Sequence, residues 1–281
     1  MKHNVVKKLG VGSAGDAFLL EDGKAIIVGK REDSFGTYQA MFDKMCVLDG
    51  KITAVKYPKF YELIAPCDDY PFGAVIEEYI DGVELRGKVS NLSESQKREI
   101  GKTLAKFITE VHDIDAEGNK EEEIEINLAK FDRSLGILKE YLTDDVYAEL
   151  VNIKTPYEKL MLSKNFCATH GDLNAGNIMI GEDGKVSGII DFGNMEYYIP
   201  EIEFVHMYFF DKAIYNAMVQ NYPKPIKDTE IVLLELVVNI RHFKNIKNFE
   251  DRRTKCLKNI QKLLNEYLNM QSIEKNSIKE Q

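Results

Sequence analysis

The chain has 281 residues, which at about 150 residues per domain allows two domains or one two-lobed fold. Hydrophobic residues make up 44% and charged residues 30%, a globular balance that excludes a mostly disordered chain. Its 37 basic and 46 acidic residues give a net charge of −9, with no basic cluster to track a phosphate backbone, which argues against nucleic acid.

In chain order, Met1–Lys8 lacks the apolar core of a secretory signal. No apolar run reaches the roughly 18 residues of a membrane span, so the cytoplasm is the expected compartment and no membrane partner is expected. Cys46, Cys67, Cys167 and Cys256 stand far apart without a CxxC pair, against a zinc site or a secreted disulfide framework. Residues 4–79 read as strands: Val5-Val6 into Leu9, then Ala17–Leu20, Ala25–Val28, Phe60–Ile64 and Ala74–Tyr79. Asp22-Gly23 between two apolar runs signals a hairpin. A helix is predicted over about Thr37–Leu48, closed by Asp49-Gly50.

After Asp81-Gly82 the pattern turns helical. Ser93 and Gln96 form a capping box, and Ile100, Leu104, Phe107, Ile108 and Val111 follow as an apolar stripe. Lys120–Glu123 reads as a solvated charge run. Further helices are predicted near 127–150, 156–163, 200–220, 229–246 and 251–269, with 231–240 buried all round and 270–281 frayed. One β-rich insert, 166–191, interrupts the helices: Phe166–Thr169, Ile178–Ile180, a turn, and Val186–Ile190.

The insert carries His170-Gly171-Asp172-Leu173-Asn174-Ala175-Gly176-Asn177, then Ile190-Asp191-Phe192-Gly193. Phosphoryl transfer needs an aligned nucleophile and an offset for phosphate charge. Asp172 suits orienting and deprotonating a hydroxyl. Asn177 and Asp191, one at each end of a hairpin, offer hard oxygens suited to Mg²⁺. The bland reading, that these are turn-forming residues, leaves their joint order and spacing unexplained.

His-Gly-Asp-x-x-x-x-Asn followed by Ile-Asp-Phe-Gly resembles the aminoglycoside phosphotransferase and choline kinase superfamily, small-molecule kinases with a protein-kinase-like fold. Protein kinases carry His-Arg-Asp in the similar loop, so Gly171 favours the small-molecule branch. Phe107–His112 and Pro200–Phe204 resemble further segments of the family, and Gly188–Gly193 resembles the aminoglycoside 2''-phosphotransferases. The resemblance implies an α+β fold. An N-lobe over 1–79, an antiparallel sheet with one helix, would bind nucleotide. A hinge would follow at 80–83, then a mainly helical C-lobe over 84–281 with catalytic β-hairpins. It gives His170 a structural rather than a chemical role.

In the same terms, Gly10-Val11-Gly12-Ser13-Ala14-Gly15 is a phosphate-covering hairpin, with Gly12, Ser13 and Ala14 at its tip; glycine lets backbone N–H groups approach closely. It lacks the Gly-Lys-Ser/Thr of a Walker A loop. Lys30 would hold the α- and β-phosphates; alternation places it on one strand face with Ile26 and Val28. The helix after it lacks the glutamate that would pair with this lysine, and Asp43 or Gln39 would stand in. The Glu78 carbonyl and the Ile80 N–H would read the base of ATP or GTP.

The implied activity is Mg²⁺-dependent transfer of a γ-phosphate to a hydroxyl of a small acceptor, an aminoglycoside-like antibiotic first, and hence antibiotic resistance. Choline, methylthioribose and homoserine are alternative acceptors. Glu196, Glu201, Glu203, Asp211 and Glu235, with Tyr197, Tyr198, Tyr208, Phe209, Phe210 and Tyr215, are candidates to contact a cationic acceptor. A nucleotide-binding sensor without transfer is the competing class. A kinase acting on protein is disfavoured by the lack of an Ala-Pro-Glu segment.

Overall fold

The computed structural model describes residues 3–12, 15–115 and 118–279. They fall into two compact units, one of residues 1–114, 170–196 and 210–222, the other of 115–169, 197–209 and 223–281.

The first unit opens with β1 (Val5–Val11), β2 (Gly15–Leu20) and β3 (Lys24–Gly29), then helix α1 (Ser34–Leu48), β4 (Phe60–Ile64) and β5 (Ala74–Glu78). The strands form one antiparallel sheet in the order β1-β2-β3-β5-β4. The β2–β3 turn closes at Gly23, whose φ of 82° suits glycine. Strand alternation divides the sheet. Leu20, Ile26, Ala74 and Ile76 bury one face around Tyr70, while Ala17, Ala25 and Ile27 line a cavity on the other. Helix α1 packs near β4 and β5 and turns Tyr38, Met41 and Met45 to that same cavity.

Beyond the sheet come β6 (Val83–Glu84), the short α2 (Leu85–Lys88) and α3 (Glu94–His112). The α3 capping box forms as predicted: Gln96 N–H donates to Ser93 Oγ at 3.3 Å and Ser93 N–H to Gln96 Oε1 at 3.0 Å. Its apolar stripe is fully buried, in part against a later helix.

The second unit begins with α4 (Lys120–Leu138), α5 (Asp144–Asn152) and α6 (Lys154–Ser163). Two departures from the sequence reading have local causes. Asn119 accepts from the Glu121 and Glu122 N–H groups, and glutamates in a first turn offset the helix dipole, so the charge run is helical. The predicted 127–150 helix then breaks after 138, where Leu142 and Thr143 are extended before α5.

Three short strands follow: β7 (Cys167–Thr169), β8 (Ile178–Ile180) and β9 (Val186–Ile189). They precede β10 (Glu196–Tyr198), which pairs with β7. Strands β8 and β9 form a hairpin extended by β6. The predicted 200–220 helix divides into α7 (Ile202–Phe210) and α8 (Lys212–Asn221), because Asp211 caps α8 by accepting from the Ala213 and Ile214 N–H groups. Helix α8 packs on α3 in the first unit.

In the second unit α9 (Asp228–Ile246) runs between α4 and α10 (Glu250–Lys279). Ile231–Leu234, Leu236 and Val237 of α9 are buried, as the apolar run predicts. Helix α10 continues through 270–279, where fraying was expected. Among the described residues no helix is long and apolar enough to cross a membrane.

Candidate active site

The first unit holds a cavity of about 620 Å³ walled by the β1–β2 hairpin, β3, α1, residues 77–80 and the segment around Asp191. The hairpin closes through a bond from Gly12 N–H to the Gly15 carbonyl at 2.8 Å. Ser13 and Ala14 lie outside the described residues. Gly15 is required by close approach: a Cβ there would overlap the Tyr38 hydroxyl and the Val28 carbonyl.

Lys30 does not join this cavity. The alternation that places it with Ile26 and Val28 holds, but that is the face packed around Tyr70. Lys30 instead forms an ion pair with Asp16, which also meets Lys8 at 2.6 Å. Both ammonium groups hold the Asp16 carboxyl below the usual carboxylate range, Lys30 more strongly. Ile27 occupies the cavity face of β3, in register with Ala17 and Val75. Neither proposed stand-in on α1 meets Lys30: exposed Gln39 donates to exposed Asp43 at 3.1 Å. The wall between β3 and α1 is apolar, built from Ile27, Met41 and Met45.

Glu78 and Ile80 do line the cavity. Glu78 N–H is taken by the Lys59 carbonyl at 2.8 Å. The Ile80 N–H meets no acceptor among the described residues, which leaves it as a donor for a ligand. Glu77, which sequence reasoning passed over, also faces the cavity. Burial, and secondarily the charge of Asp191, raises its carboxyl to about 8. Its pairing with Ala25 was the signal: period-two alternation puts both on one face.

The segment that carries Asp172 is anchored by His170, which is fully buried. Its Nδ1 accepts from the Asp172 N–H at 3.3 Å, so Nε2 carries the proton toward the Ile190 carbonyl at 3.2 Å. The ring packs against Phe192 and Phe107. His170 thus spends both nitrogens on backbone, as a structural residue does.

Gly171 turns the chain at φ 77°, where a Cβ would overlap the Asn194 carbonyl. Side-chain amides then converge on the Asp172 carboxylate. Asn174 Nδ2 reaches Oδ1 at 2.8 Å, and Asn177 and Asn194 Nδ2 lie 3.4 Å from Oδ2. Asn174 is itself fixed, because its Oδ1 accepts from Gly176 N–H at 2.8 Å. Sequence reasoning missed Asn174 and Asn194; position 174, inside the loop motif, was readable as a neighbour of Asp172, whereas 194 comes close only through folding.

Strands β8 and β9 carry the chain from Asn177 to Asp191, and Ile190 N–H bonds back to the Asn177 carbonyl at 2.9 Å. Asp191 sits at φ 63° and ψ 65°, the left-handed region. Aspartate tolerates that region better than most residues, but at a cost. Its carboxyl is raised above the usual range first by desolvation and then by the charge of Asp172, with the Gly193 N–H opposing. A desolvated carboxyl beside a second carboxylate invites a cation. Asn177 Nδ2 is committed to the Asp172 carbonyl at 2.8 Å, so its Oδ1 is the atom that would serve a cation. Asn177 Oδ1 and the Asp191 carboxylate are hard oxygens, and Mg²⁺ takes few protein ligands beside water and phosphate. These residues therefore fit Mg²⁺.

The family model of the phosphotransferase enzymes (APH) matches residues 5–224. The chain belongs to the phosphotransferase enzyme family. Among solved structures it is similar to ADP-bound aminoglycoside phosphotransferase APH(2'')-Ib, at 19% identity over 94% of this chain and 93% of that one, TM-score 0.71. It is similar to the GDP complex of aminoglycoside 2'-phosphotransferase-IIIa, at 14% identity over 95% and 94%, TM-score 0.79. It is also similar to a macrolide 2'-phosphotransferase from Brachybacterium faecium, at 11% identity over 92% and 94%, TM-score 0.64. At these identities the likeness shows the fold. It is the protein-kinase-like architecture: an antiparallel sheet with one helix, and a mainly helical part with catalytic β-hairpins.

Several acids proposed to meet an acceptor have structural work within their own units. Asp211 caps α8 and pairs with Lys97 at 2.9 Å. Glu201 is buried against Lys164 at 2.5 Å. Glu235 accepts from Asn239 through Oε1 at 2.8 Å, while its buried Oε2 has no bond within the described residues. Tyr198 is buried and bonds Tyr157 through their hydroxyls at 2.6 Å, and Tyr215 is buried in α8.

Proposed function

We propose that the protein transfers the γ-phosphate of ATP or GTP to a hydroxyl of a small acceptor, with an aminoglycoside-like molecule as the leading acceptor. The observation that carries this is the Asp172 carboxylate held by the amides of Asn174, Asn177 and Asn194, beside the Asn177 and Asp191 oxygens. The relatives named above are aminoglycoside or macrolide phosphotransferases, and the two aminoglycoside enzymes hold ADP or GDP, which supports the acceptor class and both nucleotides.

In this reading Asp172 orients the acceptor hydroxyl and takes its proton as the oxygen bonds to the γ-phosphorus and the bridge to the β-phosphate breaks. The amides hold the carboxylate in one rotamer, so that it meets the hydroxyl in line. Asn177 and Asp191 would hold Mg²⁺, which when bound offsets phosphate charge. By the family resemblance, Gly12, Ser13 and Ala14 would cover the phosphates. The Ile80 N–H and the Glu78 carbonyl read the base at a hinge, 80–83, between a nucleotide lobe over 1–79 and a catalytic lobe over 84–281. Lys30, paired with Asp16, takes no part.

One observation favours a second reading, a nucleotide-binding sensor: Ile27 stands on the cavity face where a phosphate-holding lysine would serve. The two part in one assay. ADP and GDP release with Mg²⁺ is measured against aminoglycosides, macrolides, choline, methylthioribose and homoserine, with Asp172→Asn as control. Release that depends on an acceptor and vanishes in the variant supports transfer. Nucleotide binding with no release across the panel supports the sensor.

A further inference from the structure

Helix α1 reaches the segment after Asp191 through a contact that no sequence motif announces. Lys44 Nζ donates to the Met195 carbonyl at 2.6 Å. One turn earlier, Met41 Sδ lies 3.6 Å from the point where a Cβ would project at Gly193. Met41, Lys44, Met45 and Leu48 recur at spacings of three and four, so they share one face of α1. Met45 and Leu48 are buried, and Met41 and Met45 wall the cavity. A single helix face therefore touches both the cavity and the turn that follows Asp191.

That turn is short and stiff. Phe192–Asn194 is one 3₁₀ turn, closed by Met195 N–H on the Phe192 carbonyl at 3.1 Å. Asp191, immediately before it, is the only non-glycine residue with positive φ among the described residues. Such a conformation persists where its surroundings over-determine it. On the C-terminal side, the ammonium–carbonyl bond from Lys44 does this, and a charge-assisted bond is about twice as strong as a neutral one. Meanwhile, among the described residues, no cation–carboxylate pair joins β3 to α1: Lys30 is bound to Asp16 and Gln39 to Asp43.

We infer that Lys44 is a positioning residue: by holding the Met195 carbonyl it ties α1 to the Asp191 turn and sets the direction of the Asp191 carboxylate. The link stands where the β3-to-α1 ion pair expected from sequence is missing. This rests on the reading of Asp191 as an Mg²⁺ ligand beside a nucleotide.

The test is calorimetric titration of the whole protein with ATP and GTP over a series of Mg²⁺ concentrations, in wild type, Lys44→Met and Lys44→Arg, with unfolding temperatures alongside. Lys44→Met keeps the aliphatic stem and deletes the donor. It is expected to raise the Mg²⁺ needed for half-maximal enhancement of nucleotide binding about tenfold, the size of one charge-assisted hydrogen bond. Metal-free nucleotide affinity stays unchanged, and Lys44→Arg, which restores a charged donor, recovers most of the effect. Lys44→Gln carries the same comparison should the methionine variant fold poorly. Superimposable Mg²⁺ titrations overturn the inference. An equal loss with and without metal also overturns it, because a merely structural contact weakens both. A wild-type protein with no Mg²⁺-dependent nucleotide binding overturns the functional reading beneath it, before any variant is made.

Discussion

The segment 170–194, of which Met179 and Ile190–Phe192 line the cavity, and the β3–α1 wall meet at that one cavity, yet they answer to different parts of the chain. In the segment, the hairpin β8–β9 brings Asn177 and Asp191 together through neighbours: Ile190 bonds back to Asn177, and Asn174 holds Asp172 from two residues away. In the wall, which strand face looks into the cavity is decided at a distance. Tyr70 and Ile76, some fifty residues downstream of β3, cover the Ile26 face, and Lys30 follows Ile26. Chemistry set by short loops is legible in a motif; chemistry set by sheet packing is not.

The largest test of the local side is Asp172→Asn. It keeps size and the loop's shape but removes the base, so kcat is expected to fall by about 10³-fold, within the range for general-base loss. Nucleotide affinity measured by calorimetry stays near wild type. Turnover within about tenfold of wild type would mean that the amide-held carboxylate is not the base.

The next effect lies on β5, whose Glu77 also lines the cavity. Glu77 is neutral in the folded protein up to about 8, whereas an unfolded glutamate ionises near 4.5. The folded state therefore binds the extra proton between these values, and stability falls as pH rises through that window. Glu77→Gln removes the dependence. Urea unfolding at pH 5.5 and 9 is expected to show the variant gaining roughly 2–4 kcal/mol on wild type at the higher pH, from about 1.4 kcal/mol per pH unit of raised ionisation. A difference that does not change with pH would show that the carboxyl is solvated.

The β3–α1 wall marks where sequence reading stopped. Period-two alternation grouped Ile26, Val28 and Lys30; it carried no information on whether that face met solvent, core or ligand. The helical region behaves likewise. The α3 stripe and capping box were legible because both are local. The breaks at 139–143 and Asp211 were not: the first is a change to extended backbone at Leu142 and Thr143, and the second depends on Asp211 capping a new helix in place of continuing the old one. His170, Asp172, Asn177 and Asp191 were legible by spacing. Asn194 was not, because Gly171 and the 3₁₀ turn, rather than spacing, bring it to Asp172.

Asn174→Ala is the third test, and it refines the local side. It removes the bond to Asp172 Oδ1 at 2.8 Å and the acceptor for Gly176 N–H. Since one hydrogen bond to a charged group contributes about 1.5–3 kcal/mol, kcat is expected to drop about tenfold or more with little change in nucleotide KM. A rise in nucleotide KM with unchanged kcat would move Asn174 from the carboxylate to the ligand.

The smallest expected effect separates the two regions most cleanly. Lys30→Met leaves the Ile27 face of β3 untouched and breaks an ion pair whose lysine is 36% exposed and whose aspartate keeps Lys8. Exposed ion pairs contribute about 0–1 kcal/mol, so unfolding free energy should move within that range and nucleotide affinity by less than about threefold. A lysine that held phosphate oxygens would behave otherwise, because losing a charge-assisted bond to phosphate costs a factor of about ten or more. A tenfold loss of ATP and GTP affinity in Lys30→Met, with stability unchanged, would mean that the Asp16–Lys30 end of the β2–β3 pair turns inward when nucleotide binds. Ile27 would then be a resting-state neighbour of the phosphates rather than their permanent wall.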